Sequence, residues 1–363
     1  MMHVVERPVR SSRLWRPKRV LVTPSAVARS HGRAMVERIE ALGIVVERLP
    51  SDRLPLERDV DASGFYARAK STLAIVVAPP SKLKLQPIAP SADWRVDLAE
   101  GCPAHCSYCY LAGSLKGPPI TRVYANLDEI IGVLPDYFGR GAVTSASATR
   151  AGEGTTFEAS CYTDPLGIDH LTGSLSSLIE RFGRWEADVQ LRFTTKFAAV
   201  EPLLDLDHRG RTRMRASLNP AEFARFEGGT SPVGERLHAL RRMADAGYPI
   251  GLTIAPIIAA DGWRDAYGGL ISNVFAVLGD VAARGDLTVE LITHRFSPGS
   301  KTVLESWYPG SDLDLGEIGR REKRTRFGAV KHVYDAPTMG ALRRFFETEL
   351  AAELPGSRIL YWT

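Results

Sequence analysis

Residues 100–110 read EGCPAHCSYCY and place Cys102, Cys106 and Cys109 at C-x3-C-x2-C spacing. Thiolates are the usual ligands of iron–sulfur clusters. Three of them can hold one face of a [4Fe–4S] cubane and leave the fourth iron without a protein ligand. An open iron can chelate the amino and carboxylate groups of S-adenosylmethionine (SAM). One electron from the reduced cluster then cleaves the sulfonium and frees a 5′-deoxyadenosyl radical. The spacing therefore predicts a radical SAM enzyme, and the aromatic residue before the third cysteine, Tyr108, fits the same pattern. The competing reading is a structural zinc site with His105 as fourth ligand. Such sites usually pair two separated ligand clusters, and no second Cys or His pair stands at a suitable spacing.

The fourth cysteine, Cys161, stands alone in the segment 156–164, TFEASCYTD. It falls at the C-terminal end of a predicted strand, the end that carries the chemistry in β/α barrels. A thiol there can give a hydrogen atom to a carbon radical, because S–H bonds are weaker than most C–H bonds. Free cysteine is also a common core residue, and position alone leaves both readings open.

The surrounding pattern says what must hold these thiols. Residues 19–22 read as a short strand and 26–42 as a helix, with Met35, Val36, Ile39 and Leu42 on one face and Gly43 as its stop. Residues 44–46 and 73–78 read as further strands, and 51–64 as a loop. From about residue 95, candidate strands at 156–160, 190–195, 213–217, 250–255 and 287–292 alternate with candidate helices at 127–137, 171–182, 234–246, 266–277 and 339–352. Such alternation predicts a parallel sheet covered by helices. The expected fold class is α/β: a partial (β/α)6 radical SAM barrel with a small N-terminal α/β domain and a C-terminal hairpin and helix extension. The expected divisions are a basic arm at 1–18, an N-terminal domain at 19–90, the barrel at 91–300 and the extension at 301–363.

Composition sets the outer bounds. The chain has 363 residues, 44% of them hydrophobic and 24% charged, with a net charge of +4. No apolar run stands out as the roughly 18 residues needed to span a membrane, and the start has no apolar signal-peptide core. With only four cysteines, three of them within eight residues, metal or redox chemistry in a reducing cytoplasm is expected rather than a disulfide framework. Basic residues cluster at 7–19 and at 320–331. Such clusters suit phosphate contact; a flexible tail and a solvated face are the plainer alternatives.

The residues also resemble a known family, that of spore photoproduct lyase, a DNA-repair branch of the radical SAM enzymes. The similarity runs from about Lys18 to Thr363. It is carried by 69–73 (AKSTL), 102–111, 122–129 (RVYANLDE), 167–171 (GIDHL), Ala255-Pro256, 290–296 (ELITHRF) and 313–315 (LDL). The resemblance implies reversal of an ultraviolet-induced thymine–thymine adduct by the 5′-deoxyadenosyl radical. It implies Cys161 as the hydrogen-atom donor that quenches the product radical. Tyr108 and Tyr110 match tyrosines of a hydrogen-atom relay, and Lys196, Ser217 and Thr163 fall at SAM-contacting positions. Arg326, Phe327 and Lys331 align with a DNA-contacting hairpin. The implied partners are DNA containing thymine photoproducts and an electron donor such as flavodoxin or ferredoxin. Departures from the family pattern fall at Ser107, Tyr162 and Phe327. The readings that compete with a photoproduct lyase are a radical SAM enzyme for another lesion, RNA or a peptide, and a non-enzymatic metal-containing DNA-binding protein.

Overall fold

The computed structural model describes residues 14–55, 62–113, 118–159, 161–324, 328 and 330–363. Two sheets organise them. The first has five strands in the order Val46–Arg48, Arg19–Val22, Thr72–Val76, Thr121–Tyr124 and Ala99–Glu100. All its pairings are parallel except that of Ala99–Glu100 with Thr121–Tyr124. The helix Ser30–Ala41 lays Met35, Val36 and Ile39 against Val20, Val22, Leu73 and Ile75. The single helix expected over 26–42 is two, Pro24–Val27 and Ser30–Ala41, with Arg29 extended between them. At this break the backbones come so close that a Cβ on Gly32 would lie 1.9 Å from the Ala26 carbonyl oxygen. The loop expected over 51–64 is also corrected at its end, where the helix Ala62–Lys70 begins.

The second sheet has eight strands: Arg358–Trp362, Leu287–Thr293, Ile250–Ile257, Thr212–Leu218, Val189–Thr195, Thr155–Ala159, Ala92–Val96 and Gln86–Ile88. All its neighbours run parallel except Gln86–Ile88. The sheet curls into a partial barrel. Ser91, directly before the strand Ala92–Val96, bonds through its hydroxyl to Glu290, five strands away, at 3.2 Å. The two sheets interleave across position 90: Gln86–Ile88 joins the barrel, whereas Ala99–Glu100 and Thr121–Tyr124 return to the N-terminal sheet.

The barrel interior is charged toward its mouth. Arg215, 1% exposed, forms ion pairs with Glu158 and Glu290, each two strands away on opposite sides. Its guanidinium also donates to Ser91 Oγ at 2.6 Å. Thr253 and Tyr361 donate to Glu290 at 3.3 and 3.1 Å. Removing one partner from such a buried group leaves uncompensated charge, which costs about 3–5 kcal/mol. The network therefore ties five strands of the sheet into one rigid floor.

The helix expected over 171–182 divides at Gly173, whose φ is +63°, into Leu166–Thr172 and Ser174–Arg184. The Asp169 carboxylate caps the second helix by accepting from Leu175 N at 2.7 Å. The helix Trp263–Ala283 corrects the expectation about apolar runs. It is long and apolar enough to cross a membrane by composition, with a mean hydropathy of 1.4 over 18 residues. One face, with Tyr267, Leu270, Ile271, Val274 and Leu278, is buried in the core, and the helices Val233–Asp245 and Ala336–Glu353 pack beside it. The C-terminal extension has the expected parts: a hairpin of Arg320–Arg324 with Val330–Tyr334 and the helix Ala336–Glu353. It also holds the helix Pro298–Trp307, started by a Ser297–Ser300 capping box.

Candidate active site

The cysteine loop leaves the N-terminal sheet at Ala99–Glu100 and turns at Gly101, whose φ is +87°. A side chain there would put its Cβ 2.2 Å from the Ile120 carbonyl oxygen, so only glycine fits. His105–Cys106 then pairs antiparallel with Glu227–Gly228, and Ser107 N donates to Phe226 O at 2.9 Å. The Lys70 ammonium donates to the carbonyls of Cys102 and Ala104. These bonds fix the loop before any ligand arrives. Cys106 is buried, while Cys102 and Cys109 are partly exposed. Burial pushes the Cys102 thiol up to about 11 and the Cys106 thiol higher still.

One cavity of about 370 Å³ at the C-terminal ends of the barrel strands collects the candidate residues. Cys102, Cys106, Cys109, Tyr108 and Tyr110 line it from the loop side. Cys161, Thr163, Lys196 and Ser217 line it from the barrel. Lys331 does not line it but places its ammonium 4.7 Å from the centroid of the Tyr110 ring, which does. Arg326 and Phe327 lie outside the described residues.

The wall beside Cys106 is a hydrogen-bonded unit. Lys196 Nζ donates to Ser217 Oγ at 2.7 Å, Glu227 Oε1 at 3.0 Å and Ala255 O at 3.1 Å. Tyr108 also donates to Glu227, and Asn219 Nδ2 does so at 3.0 Å. Arg236 lies 2.7 Å from the other carboxylate oxygen, an ion-pair contact without hydrogen-bond alignment. Burial opposes ionisation of Glu227, but Lys196 and Arg236 more than offset it and hold the carboxyl at about 2. The carboxylate thus fixes Lys196, Tyr108 and, through its own strand pairing, the cysteine loop. Next to it, Asp164 accepts from Lys196 N and Thr195 Oγ1, each at 2.7 Å, and pins the segment that follows Cys161.

Three observations bear on what the cavity can hold. First, among the described residues no three His, Cys, Asp or Glu side chains converge as a single metal-ion site. A polynuclear group asks for a different arrangement, because its ligand sulfurs sit on different irons. Second, His105 turns its ring edge toward Tyr66, 6.2 Å between centroids, and burial and Lys70 depress it to about 4. Third, Thr163 Oγ1 is buried in the cavity wall with no hydrogen-bond partner among the described residues. A buried polar atom is costly until it is paired, so this hydroxyl fits a polar ligand such as SAM.

Glu227, Asp164 and the Arg215–Glu158–Glu290 floor were not singled out from the sequence. Glu290 opens the recognisable 290–296 stretch, but Glu227 stands in no motif.

Comparison with known proteins agrees with this geometry. A family model described as spore photoproduct lyase matches residues 15–363. The spore photoproduct lyase of Bacillus subtilis (strain 168) is 38% identical over 352 residues, covering 96% of this chain and 98% of its own. That of Geobacillus sp. (strain Y412MC61) gives the same identity and coverage. A solved spore photoproduct lyase complexed with dinucleoside spore photoproduct superposes with a TM-score of 0.87 at 37% identity, covering 97% of this chain and 100% of its own. A mutant of such an enzyme, with bound AdoMet and dinucleoside spore photoproduct, gives a TM-score of 0.87 at 36% identity over the same shares of both chains. With its cysteine loop and barrel matched over nearly their whole length, the chain belongs to the spore photoproduct lyase family.

Proposed function

We propose that this chain is a radical SAM lyase that reverses the thymine–thymine spore photoproduct in DNA. The observation that carries the reading is the single cavity shared by the three loop cysteines and the lone thiol of Cys161. Cys102, Cys106 and Cys109 hold a [4Fe–4S] cluster, and Lys196, Ser217 and Thr163 form the wall against which SAM binds. When bound, the cluster and SAM together supply a 5′-deoxyadenosyl radical able to remove a hydrogen atom from the lesion. The chain's own residues do the rest. The Glu227 unit keeps Tyr108 and Lys196 in place. After the bond between the bases breaks, the Cys161 S–H bond breaks and a C–H bond forms on the released thymine. Tyr110 and Tyr108 return a hydrogen atom to the sulfur, and the O–H bond lost in that relay would be re-formed with the atom first taken from the lesion, given back by the 5′-deoxyadenosine methyl group.

The test is anaerobic incubation of the reconstituted chain with SAM, a reductant and a spore-photoproduct dinucleotide. Recovery of intact thymidylyl-thymidine is expected. SAM cleavage without any change in the lesion would rule out this substrate.

For lesion-containing DNA, Lys331 and the exposed basic residues Arg321, Lys323 and Arg324 of the hairpin supply phosphate contacts. Each phosphate contact contributes about −0.9 to the slope of log affinity against log salt. Lys331→Ala is therefore expected to weaken duplex binding and flatten that slope by about 1. An unchanged slope in fluorescence anisotropy titrations would place the contact elsewhere.

A further inference from the structure

Cys161 and Thr163 line the cavity, but the residue between them is anchored in a different environment. The Tyr162 ring carries two cations, the Arg95 guanidinium 4.5 Å and the Lys82 ammonium 5.0 Å from its centroid. Arg95 Nη1 donates to the Tyr162 hydroxyl at 3.1 Å. Asp97, with a side chain 3% exposed, holds both cations in place, with contacts of 3.0 Å to Arg95 Nε and 3.1 Å to Lys82 Nζ. The backbone is held as well: Gly101 N donates to the Tyr162 carbonyl at 3.0 Å.

These contacts come from separate parts of the chain. Arg95 sits on the strand Ala92–Val96, paired with Thr155–Ala159, the strand that leads to Cys161. Lys82 sits on the short helix Pro80–Leu83. Gly101 immediately precedes the first cysteine of the loop. The Cys161 turn is thus joined to the cysteine loop through the Tyr162 backbone and to the barrel flank through the Tyr162 ring. On its far side, Asp164 anchors it to Thr195 and Lys196.

From this we infer that Tyr162 is a positioning residue: it sets the reach of the Cys161 thiol into the cavity, and thereby whether the product radical is quenched cleanly. The inference rests on the proposed function above. Hydrogen-atom transfer needs donor and acceptor close to contact, and a 1 Å misplacement can cost on the order of 100-fold. Each cation over the ring face attracts it electrostatically, so two cations on one ring stiffen the support.

The test measures two quantities in the holoenzyme with the dinucleotide lesion: the initial rate of lesion consumption, and the fraction of consumed lesion recovered as intact thymines. Tyr162→Ala is expected to leave the first within about twofold and to lower the second about tenfold. Tyr162→Phe keeps the ring, its cations and the carbonyl contact, and is expected to retain the wild-type fraction. A wild-type fraction in Tyr162→Ala overturns the inference. Should Tyr162→Ala not fold, Arg95→Met decides, since it removes the hydroxyl bond and one cation; an unchanged fraction there also overturns it. A wild type that cleaves SAM but yields no thymine would defeat the proposed substrate instead. The position of the thiol is then read from the rate of Cys161 alkylation by iodoacetamide, followed by peptide mass. A several-fold faster rate in Tyr162→Ala supports the inference, and an equal rate overturns it.

Discussion

Cys106→Ala is expected to reduce 5′-deoxyadenosine formation to the level of protein without iron. Cys106 is the most buried of the three loop thiols. Its backbone is also the one paired with Glu227, so it has the least freedom to be replaced by a neighbouring ligand. Two thiols cannot hold the face of a cubane that three hold. Iron and acid-labile sulfide per chain should fall with the activity, while the thermal melt of the apoprotein changes little because one sulfur atom is lost. His105→Ala is the matched control. Its ring packs edge-on against Tyr66, and burial disfavours its charged form. It is expected to keep its iron. Equal SAM cleavage in wild type and Cys106→Ala would remove the cluster from these cysteines. Metal lost from His105→Ala would restore the zinc reading.

The parts of this site that depend on local spacing were legible in the sequence. The C-x3-C-x2-C run is local, so its three thiols stood out from spacing alone, and the structure brings all three to one cavity. Cys161 was legible as a strand-end thiol, though not distinguishable there from a core cysteine. The barrel strands stood out because each is a short run of apolar residues between turns. Three strands did not, the short edge strand Gln86–Ile88 among them. Ala92–Val96 contains Asp93, a buried carboxylate that accepts from Val143, Thr144 and Thr156 backbone amides, and this polar residue breaks the apolar pattern. Arg358–Trp362 is an edge strand whose partner, Leu287–Thr293, is some seventy residues earlier.

The supporting residues were not legible for the same reason. Glu227 means nothing until Glu227–Gly228 pairs with His105–Cys106, over a hundred residues before it. Arg215 reads as an awkward charge in a strand until Glu158 and Glu290 arrive from strands two places away on either side. Tyr162 reads as a bulky neighbour of Cys161 until Arg95, Lys82 and Gly101 gather around it. Each needs the register of the sheet, which is long-range information. The same limit explains the helix breaks: Gly173 looked like an interior helical glycine until its φ of +63° and the Asp169 cap appeared.

Cys161→Ala should separate the two halves of the reaction. The three loop cysteines and the Lys196–Ser217–Glu227 wall are untouched, so 5′-deoxyadenosine should still form. The released thymine radical then has no S–H bond to draw on, and recovery of intact thymine should fall to background while side products accumulate. The structure adds a condition on pH. Burial, reinforced by the nearby Asp97 carboxylate and partly opposed by Arg95, pushes the Cys161 thiol up to about 12. Only the protonated sulfur carries a hydrogen atom to give. An ordinary cysteine, near 8.5, would retain about 3% of that form at pH 10. The raised value keeps Cys161 protonated there, so the fraction of lesion recovered as thymine is expected to stay flat from pH 7 to 10. A decline centred near pH 8.5 would mean a solvated thiol, and unchanged thymine recovery in Cys161→Ala would remove the thiol from the reaction. A flat profile in wild type together with loss in Cys161→Ala would identify a buried, neutral hydrogen-atom donor, because a nucleophilic cysteine would gain activity on deprotonation.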